Sequence, residues 1–134
     1  MLHPNQFHVN EAWIAFKLND APILTEAEGE FDLIALMDAA SCFMLSSTLV
    51  SKSAAEPTKL EARRLLKQAH AHKKEFPKTL FIQGEQPAQF LTVEAERQGI
   101  TVVRVPEDQL LLIVGESREA FKERFGAGSG EGEA

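Results

Sequence analysis

Between Glu11 and Leu18 the chain alternates, with Ala12, Ile14, Phe16 and Leu18 on one face and Trp13, Ala15 and Lys17 on the other. A repeat of two is the side-chain period of a β-strand. Asn19, Asp20 and Pro22 then punctuate the chain as a turn. The acidic stretch around Gly29 reads as an exposed connection with room for a short strand and a loop. Phe31 to Met37 is almost continuously apolar and stops at Asp38. A run so short is the signature of a central strand buried on both faces. Ala39 to Ser41 makes a brief turn, and Phe43 to Val50 resumes as an antiparallel partner. Three strands thus form a meander.

The period then changes. Ala62, Leu65, Leu66 and Ala69 recur at the spacing of a helix that lays one face on a sheet. Ser53 or Thr58 is placed to cap that helix, with Pro57 near its first turn. The helix should stop before Pro77, because the residue preceding a proline avoids the helical region. Thr79 to Ile82 reads as a short buried strand closed by Gly84. Pro87 opens a second helix with Phe90, Leu91 and Ala95 as its inner face, and Gly99 sits where a left-handed cap belongs. Ile100 to Val105 is a β-branched strand halted by Pro106. Leu110 to Val114 begins a last helical region, which Gly115 interrupts before Ser117 caps a stretch burying Phe121 and Phe125.

The predicted order is β-β-β-α-β-α-β-α. The expected fold is a single-domain α/β structure with a mixed five-stranded sheet and helices packed on it. Its last two strands should be parallel, since a helix joins them. Residues 1–10 read as a lead-in segment, 11–125 as the domain, and 126–134 as a flexible acidic tail of Gly, Ala, Ser and Glu.

Composition narrows the function classes. A length of 134 residues, 44% hydrophobic and 25% charged, suits one core that closes without disulfides. The single cysteine, Cys42, has no internal partner and no metal-ligand spacing around it. No apolar run approaches the roughly 20 residues of a membrane span, and no secretory signal is visible, so a cytoplasmic location is expected. The formal net charge of −6 disfavours nucleic acid and anionic membrane as partners.

Four stretches together resemble the ribonuclease H-like core of transposases and retroviral-type integrases, over about Trp13 to Pro106. Trp13 opens the first strand. Residues 33–41, LIALMDAAS, resemble an apolar second strand ending in Asp-x-x-Ser. Residues 81–90, FIQGEQPAQF, resemble a fourth strand followed by Asp-x-Gly and a downstream Phe. Residues 99–106, GITVVRVP, resemble the Gly-Ile strand and proline that follow. The resemblance implies carboxylates near the ends of strands one and four, with a third on a later helix, holding two divalent ions. This sequence offers Phe16 at the first place, and Ile82 and Gln83 at the second. Uncharged groups cannot neutralise a dication, so the resemblance implies a copy with no catalytic set. No P-loop, dinucleotide fingerprint or nucleophile elbow appears either, and no cofactor or resident metal is expected.

What remains are candidate binding residues. Asp38, at the end of an apolar strand, forms a candidate polar site with Gln83 and Glu85. The structural alternative is that Asp38 bonds backbone N–H groups of its own turn. A divergent metal enzyme would need Asp38 to meet Asp32, Glu61 or Glu85 in one cleft. His70 and His72, two residues apart on a helix, point to different faces and cannot share a metal. His3 and His8 fall in a segment read as mobile. Cys42 reads as a small buried hydrophobe in or near a strand. Between Lys59 and Lys78 seven basic residues stand against two acidic ones. Lys59, Arg63, Lys67 and Lys74 roughly share the outer face of the first helix, a stripe fit for phosphate, nucleic acid or an acidic partner, or simply a solvated face. An unknown protein partner or a second copy is the expected class of partner.

Overall fold

A computed structural model describes residues 1–19, 21–26 and 29–126 of the chain. Its strands are β1 (Ala12–Lys17), β2 (Ile23–Thr25), β3 (Gly29–Asp38), β4 (Met44–Ser51), β5 (Thr79–Gln83) and β6 (Thr101–Val105). Its helices are α1 (Lys59–Lys73), α2 (Gln89–Arg97) and α3 (Leu111–Phe121). The fold is α/β, with one mixed sheet and helices on both faces, as the hydrophobic pattern requires. The sheet has six strands where five were expected. The additional one, β2, pairs with only the first residues of β3, and three residues are too few for a readable period.

β3 organises the sheet. Phe31 pairs with Ile23 of β2 and with Ser51 of β4, so those two strands lie on opposite edges of β3. β1 shares the β2 edge, pairing antiparallel with β3 from Trp13↔Asp38 to Lys17↔Ile34. β1 then pairs in parallel with β5, and β5 in parallel with β6. The parallel pairs follow from the helical crossovers α1 and α2, and β1 ends up central, which is why it is buried on both faces.

Alternation along β1 assigns the two faces. Trp13 and Ala15 join Leu80 and Ile82 under Leu65 and Leu66 of α1 and Leu91 of α2. Ile14 and Phe16 join Met37 under Ile113 and Val114 of α3. Leu2 and Phe7 also pack on this second cluster, and Leu2 N–H bonds Gln109 C=O at 2.9 Å, so the lead-in segment is docked rather than mobile. Thr58 and Glu61 cap α1 reciprocally, and the helix stops at Lys74, in the left-handed conformation, ahead of Pro77. Gly99, at φ +83°, ends α2 as its position suggested.

Three local expectations are corrected. Phe90 is 44% exposed, and the inner face of α2 is Leu91, Ala95 and the charged Glu94. Gly115 does not interrupt the last helix: α3 runs through it, and the Ser117 hydroxyl meets Met37 Sδ instead of capping a new turn. The turn after β3 is longer than Ala39–Ser41 and takes in Cys42, at φ +61°. The side chain of Phe125 and residues 127–134 of the expected tail lie outside what the structure describes. Among the described residues no helix is long and apolar enough to cross a membrane.

Candidate functional site

The parallel register β1–β5 brings the carboxyl ends of both strands to one pole of the sheet, the place where such folds present side chains to a cleft. Ala15 pairs with Ile82, and the next residues are Phe16 and Gln83. Ile82 turns into the α1–α2 cluster, whereas Phe16 faces α3. The polar residue presented beside Phe16 on the α3 side is therefore Gln83, as its contact with that helix shows.

Arg118 of α3 reaches across this pole. Its Nε donates to the Lys17 carbonyl at 3.1 Å, and one terminal nitrogen donates to Gln83 Oε1 at 3.2 Å. The other terminal nitrogen pairs with Glu107 Oε2 at 2.7 Å. The guanidinium carbon stands 5.7 Å from the Phe16 ring centre, within reach of a cation–π attraction. The Arg118 side chain is 15% exposed. Arg104 braces the following loop, donating to the carbonyls of Gln83, Gly84 and Gln86. Gly84 fits because an added Cβ would stand 3.3 Å from the Val105 carbonyl oxygen.

The first two positions for which the sequence resemblance implies carboxylates thus hold an aromatic ring and an amide beside Ile82, and the residue of the last helix that reaches them, Arg118, carries a guanidinium. A part-buried cation paired to neutral oxygens and one half-exposed carboxylate repels a dication rather than gathering one. Arg118 escaped the sequence reading because that reading broke the last helix at Gly115. The available signal was Arg118 itself, at i+4 from the buried Val114 and three residues before Phe121.

Asp38 lies at the opposite pole. It pairs with Trp13, at the amino-terminal end of β1, so the structure does not bring it to Gln83 and Glu85. Its carboxylate accepts Asn10 N–H at 2.7 Å, Ser41 N–H at 2.9 Å and the Ser41 hydroxyl at 2.7 Å. Asn10, at φ +65°, in turn accepts the Trp13 indole N–H at 2.6 Å. Asp38 is therefore a turn clamp that fixes a core tryptophan. The other carboxylates are equally dispersed. Asp32 accepts from Asn19 and lies 3.6 Å from Lys52 Nζ, Glu61 caps α1, and Glu85 is exposed beyond Gly84. Among the described residues no three His, Cys, Asp or Glu side chains converge to hold a metal ion.

The expected basic stripe divides. Arg63 turns toward α2, where its Nε donates to Glu94 Oε1 at 3.2 Å, and Lys67 lines the same groove. Lys59 opens α1, and Lys74 is its left-handed cap. His70 packs on Phe76 with the rings tilted by 43° and their centres 4.5 Å apart, while His72 meets Phe43 edge-on at 5.4 Å. Cys42 sits in its turn with Sγ 3.7 Å from the Ile113 carbonyl. Burial, then Glu116 and Asp38, push its thiol above the ordinary value, the reverse of what a nucleophile needs.

No protein-family model matches the sequence, and no curated protein matches it. Among solved structures, a chain of the simian T-cell lymphotropic virus intasome in complex with PP2A regulatory subunit B56 gamma is similar to it, with a TM-score of 0.56 and 17% identity. The match covers 86% of this chain but spans 39% of that one. The likeness is one of fold.

Proposed function

We propose that this chain is a non-catalytic ribonuclease H-like domain that acts by binding. One observation carries the reading: the carboxyl pole of β1 and β5 is closed by the Arg118 guanidinium on Lys17, Gln83 and Glu107. Two-metal phosphoryl chemistry needs a negative cradle for its ions, and here the cradle is replaced by a fixed positive charge. The strand order, with β1 central between antiparallel β3 and parallel β5, supports the fold half of the proposal, as does the likeness to an intasome chain. On this reading the chain works through a partner protein, a second copy or a small ligand, in the cytoplasm.

The test is a cleavage assay on single- and double-stranded DNA and RNA with Mg²⁺ or Mn²⁺. No metal-stimulated cleavage is expected, and Asp38→Ala should behave like the parent. Metal-dependent cleavage by the parent chain would overturn the reading; its loss in Asp38→Ala would not by itself make the turn clamp a catalytic group, because that variant also loses the clamp.

A further inference from the structure

β4 and β6 border the sheet, each paired on one side only among the described residues, and the two edges are not alike. β4 pairs with β3 in a register that skips Leu45, a bulge of the kind that twists an edge away from further pairing. β6 pairs with β5 in unbroken register from Thr79↔Thr101 to Gln83↔Val105. It holds no proline, lysine or bulge, the usual devices that blunt an edge. Thr101 N–H bonds the Lys78 carbonyl at 3.0 Å, and the Val105 carbonyl accepts Gly84 N–H at 2.6 Å. Thr101, Val103 and Val105 therefore turn their backbone toward β5, and Val102 and Arg104, alternating with them, turn theirs outward. Such a row of N–H and C=O groups is a template for another strand.

Around Val103 the row complements itself. When two copies pair antiparallel with Val103 opposite Val103, each Val102 faces the partner's Arg104, and both such pairs exchange N–H···O bonds. The neighbouring symmetric registers fail. Centring on Arg104 sets cation against cation and puts Pro106, which has no N–H, opposite Val102. Centring on Val102 asks Arg104 to pair with Ile100, which lies outside the strand and is buried. The side chains agree with the first register. Val102 packs under α1 and α2, so Val103 stands on the other face, where it is 37% exposed and would be covered by its own copy. The charges agree as well. One terminal nitrogen of Arg104 makes all its bonds, to the carbonyls of Gln83, Gly84 and Gln86, and among the described residues the side chain pairs with no carboxylate. Those bonds draw the guanidinium toward the carboxyl pole of its own strand, which in an antiparallel pair is the direction of the partner's Thr101 and the end of α2 before it. Glu96 stands there, exposed and without a paired cation among the described residues. Thr92, one turn earlier on the same flank of α2, lines a groove with Arg104, so this flank overlooks the edge of β6.

We propose that β6 is the contact between two copies of this chain, which join antiparallel about Val103 into one continuous sheet, with Arg104 of each copy facing Glu96 of the other. This rests on the binding-module reading and names a second copy as the partner, but it uses neither Phe16 nor Arg118. A chain that neither cleaves nucleic acid nor self-associates would sink this interface and leave the pole argument standing.

The experiment is sedimentation velocity of the full chain from about 1 μM to about 1 mM, the range open to a small interface, together with cysteine cross-linking. A dimer should form as concentration rises. Val103→Glu and Glu96→Lys, both at exposed positions, should weaken it with unchanged circular dichroism, the first by about tenfold, since like charges then stand directly opposite, and the second by about threefold. In a Cys42→Ser background, Val103→Cys should give a disulfide-linked dimer on mild oxidation, because facing Cα atoms in such a pair lie about 4.5 Å apart. Thr101→Cys, which faces the partner's Val105, should link at least about tenfold more slowly, its copies standing beyond the roughly 7 Å a disulfide can bridge. A monomer at every concentration, a dimer that neither surface substitution weakens, or equal cross-linking at positions 101 and 103 would overturn the assignment.

Discussion

Replacing Arg118 by methionine isolates the closing of the sheet's pole, because methionine keeps an unbranched apolar stem over Phe16 while deleting the charge and its donors. Three bonds are at stake, and they are unequal. The bond to the Lys17 carbonyl comes from a charged donor on a side chain 15% exposed, and such bonds contribute about 1.5–3 kcal/mol net. The Gln83 amide is only part-buried and can turn to water, so its loss counts for little. Glu107 is 50% exposed, and solvent screening holds that ion pair to about 0–1 kcal/mol. The face-on contact with Phe16 adds about 0.5–1 kcal/mol. Arg118→Met should therefore destabilise the fold by about 2–5 kcal/mol. Glu107→Gln should cost no more than about 1 kcal/mol and lose that effect in concentrated salt. Urea unfolding reads both, provided the slope with denaturant is unchanged. A change of less than about 0.5 kcal/mol for Arg118→Met would place the side chain among ordinary surface residues, and the pole could no longer be called closed by it.

Other substitutions test the remaining structural assignments. Asp38→Ala removes the acceptor of two backbone N–H groups and a hydroxyl, so it should cost about 3–4 kcal/mol in urea unfolding. It should also shift the Trp13 fluorescence, because Asn10 loses its anchor. Gly115→Ala and Gly99→Ala should have opposite signs although neither added Cβ meets an atom within 4 Å. In the interior of α3 the alanine stabilises by about 0.5–1 kcal/mol, and at φ +83° it destabilises by about 1–2 kcal/mol. Cys42 should be alkylated slowly in the folded chain, with the rate climbing only above the ordinary thiol range, because its folded pKa is raised. The same shift removes stability as pH rises from the ordinary thiol pKa through the raised one, so unfolding monitored across alkaline pH should show a decline that Cys42→Ser abolishes.

The sheet was legible in the sequence because its central strands are long enough to show their period. β1 alternates, β3 carries the apolar run Leu33–Met37, and both sort core residues onto the two faces. What stayed hidden depends on contacts between residues distant in the chain. Glu94 lies between Leu91 and Ala95 on the inner face of α2, a place the pattern assigned to Phe90. It can be buried there because Arg63, 31 residues earlier, supplies a cation. Asp38 was readable as either a site or a turn clamp, and Asn10, 28 residues away, decides for the clamp. Gly115 reads as a break because an interior glycine costs a helix about 1 kcal/mol, which the burial of Ile113 and Val114 in α3 outweighs.

That last misreading concealed the feature on which the functional proposal turns. A site built for two dications needs several carboxylates, and those carboxylates repel one another when the ions are absent. Substituting any one of them by an apolar group leaves the others repelling without a cation to share. A single guanidinium resolves the problem at once, since its delocalised charge is satisfied by a carbonyl, an amide oxygen and one carboxylate at the rim. With Arg118 in place, an aromatic ring at Phe16 becomes favourable, because the cation can lie against its face. Phe16, Gln83 and Arg118 are thus mutually consistent. Placing an aspartate at position 16 alone would give the guanidinium a buried ion-pair partner and not a metal ligand, so that single step does not bring metal chemistry to the pole.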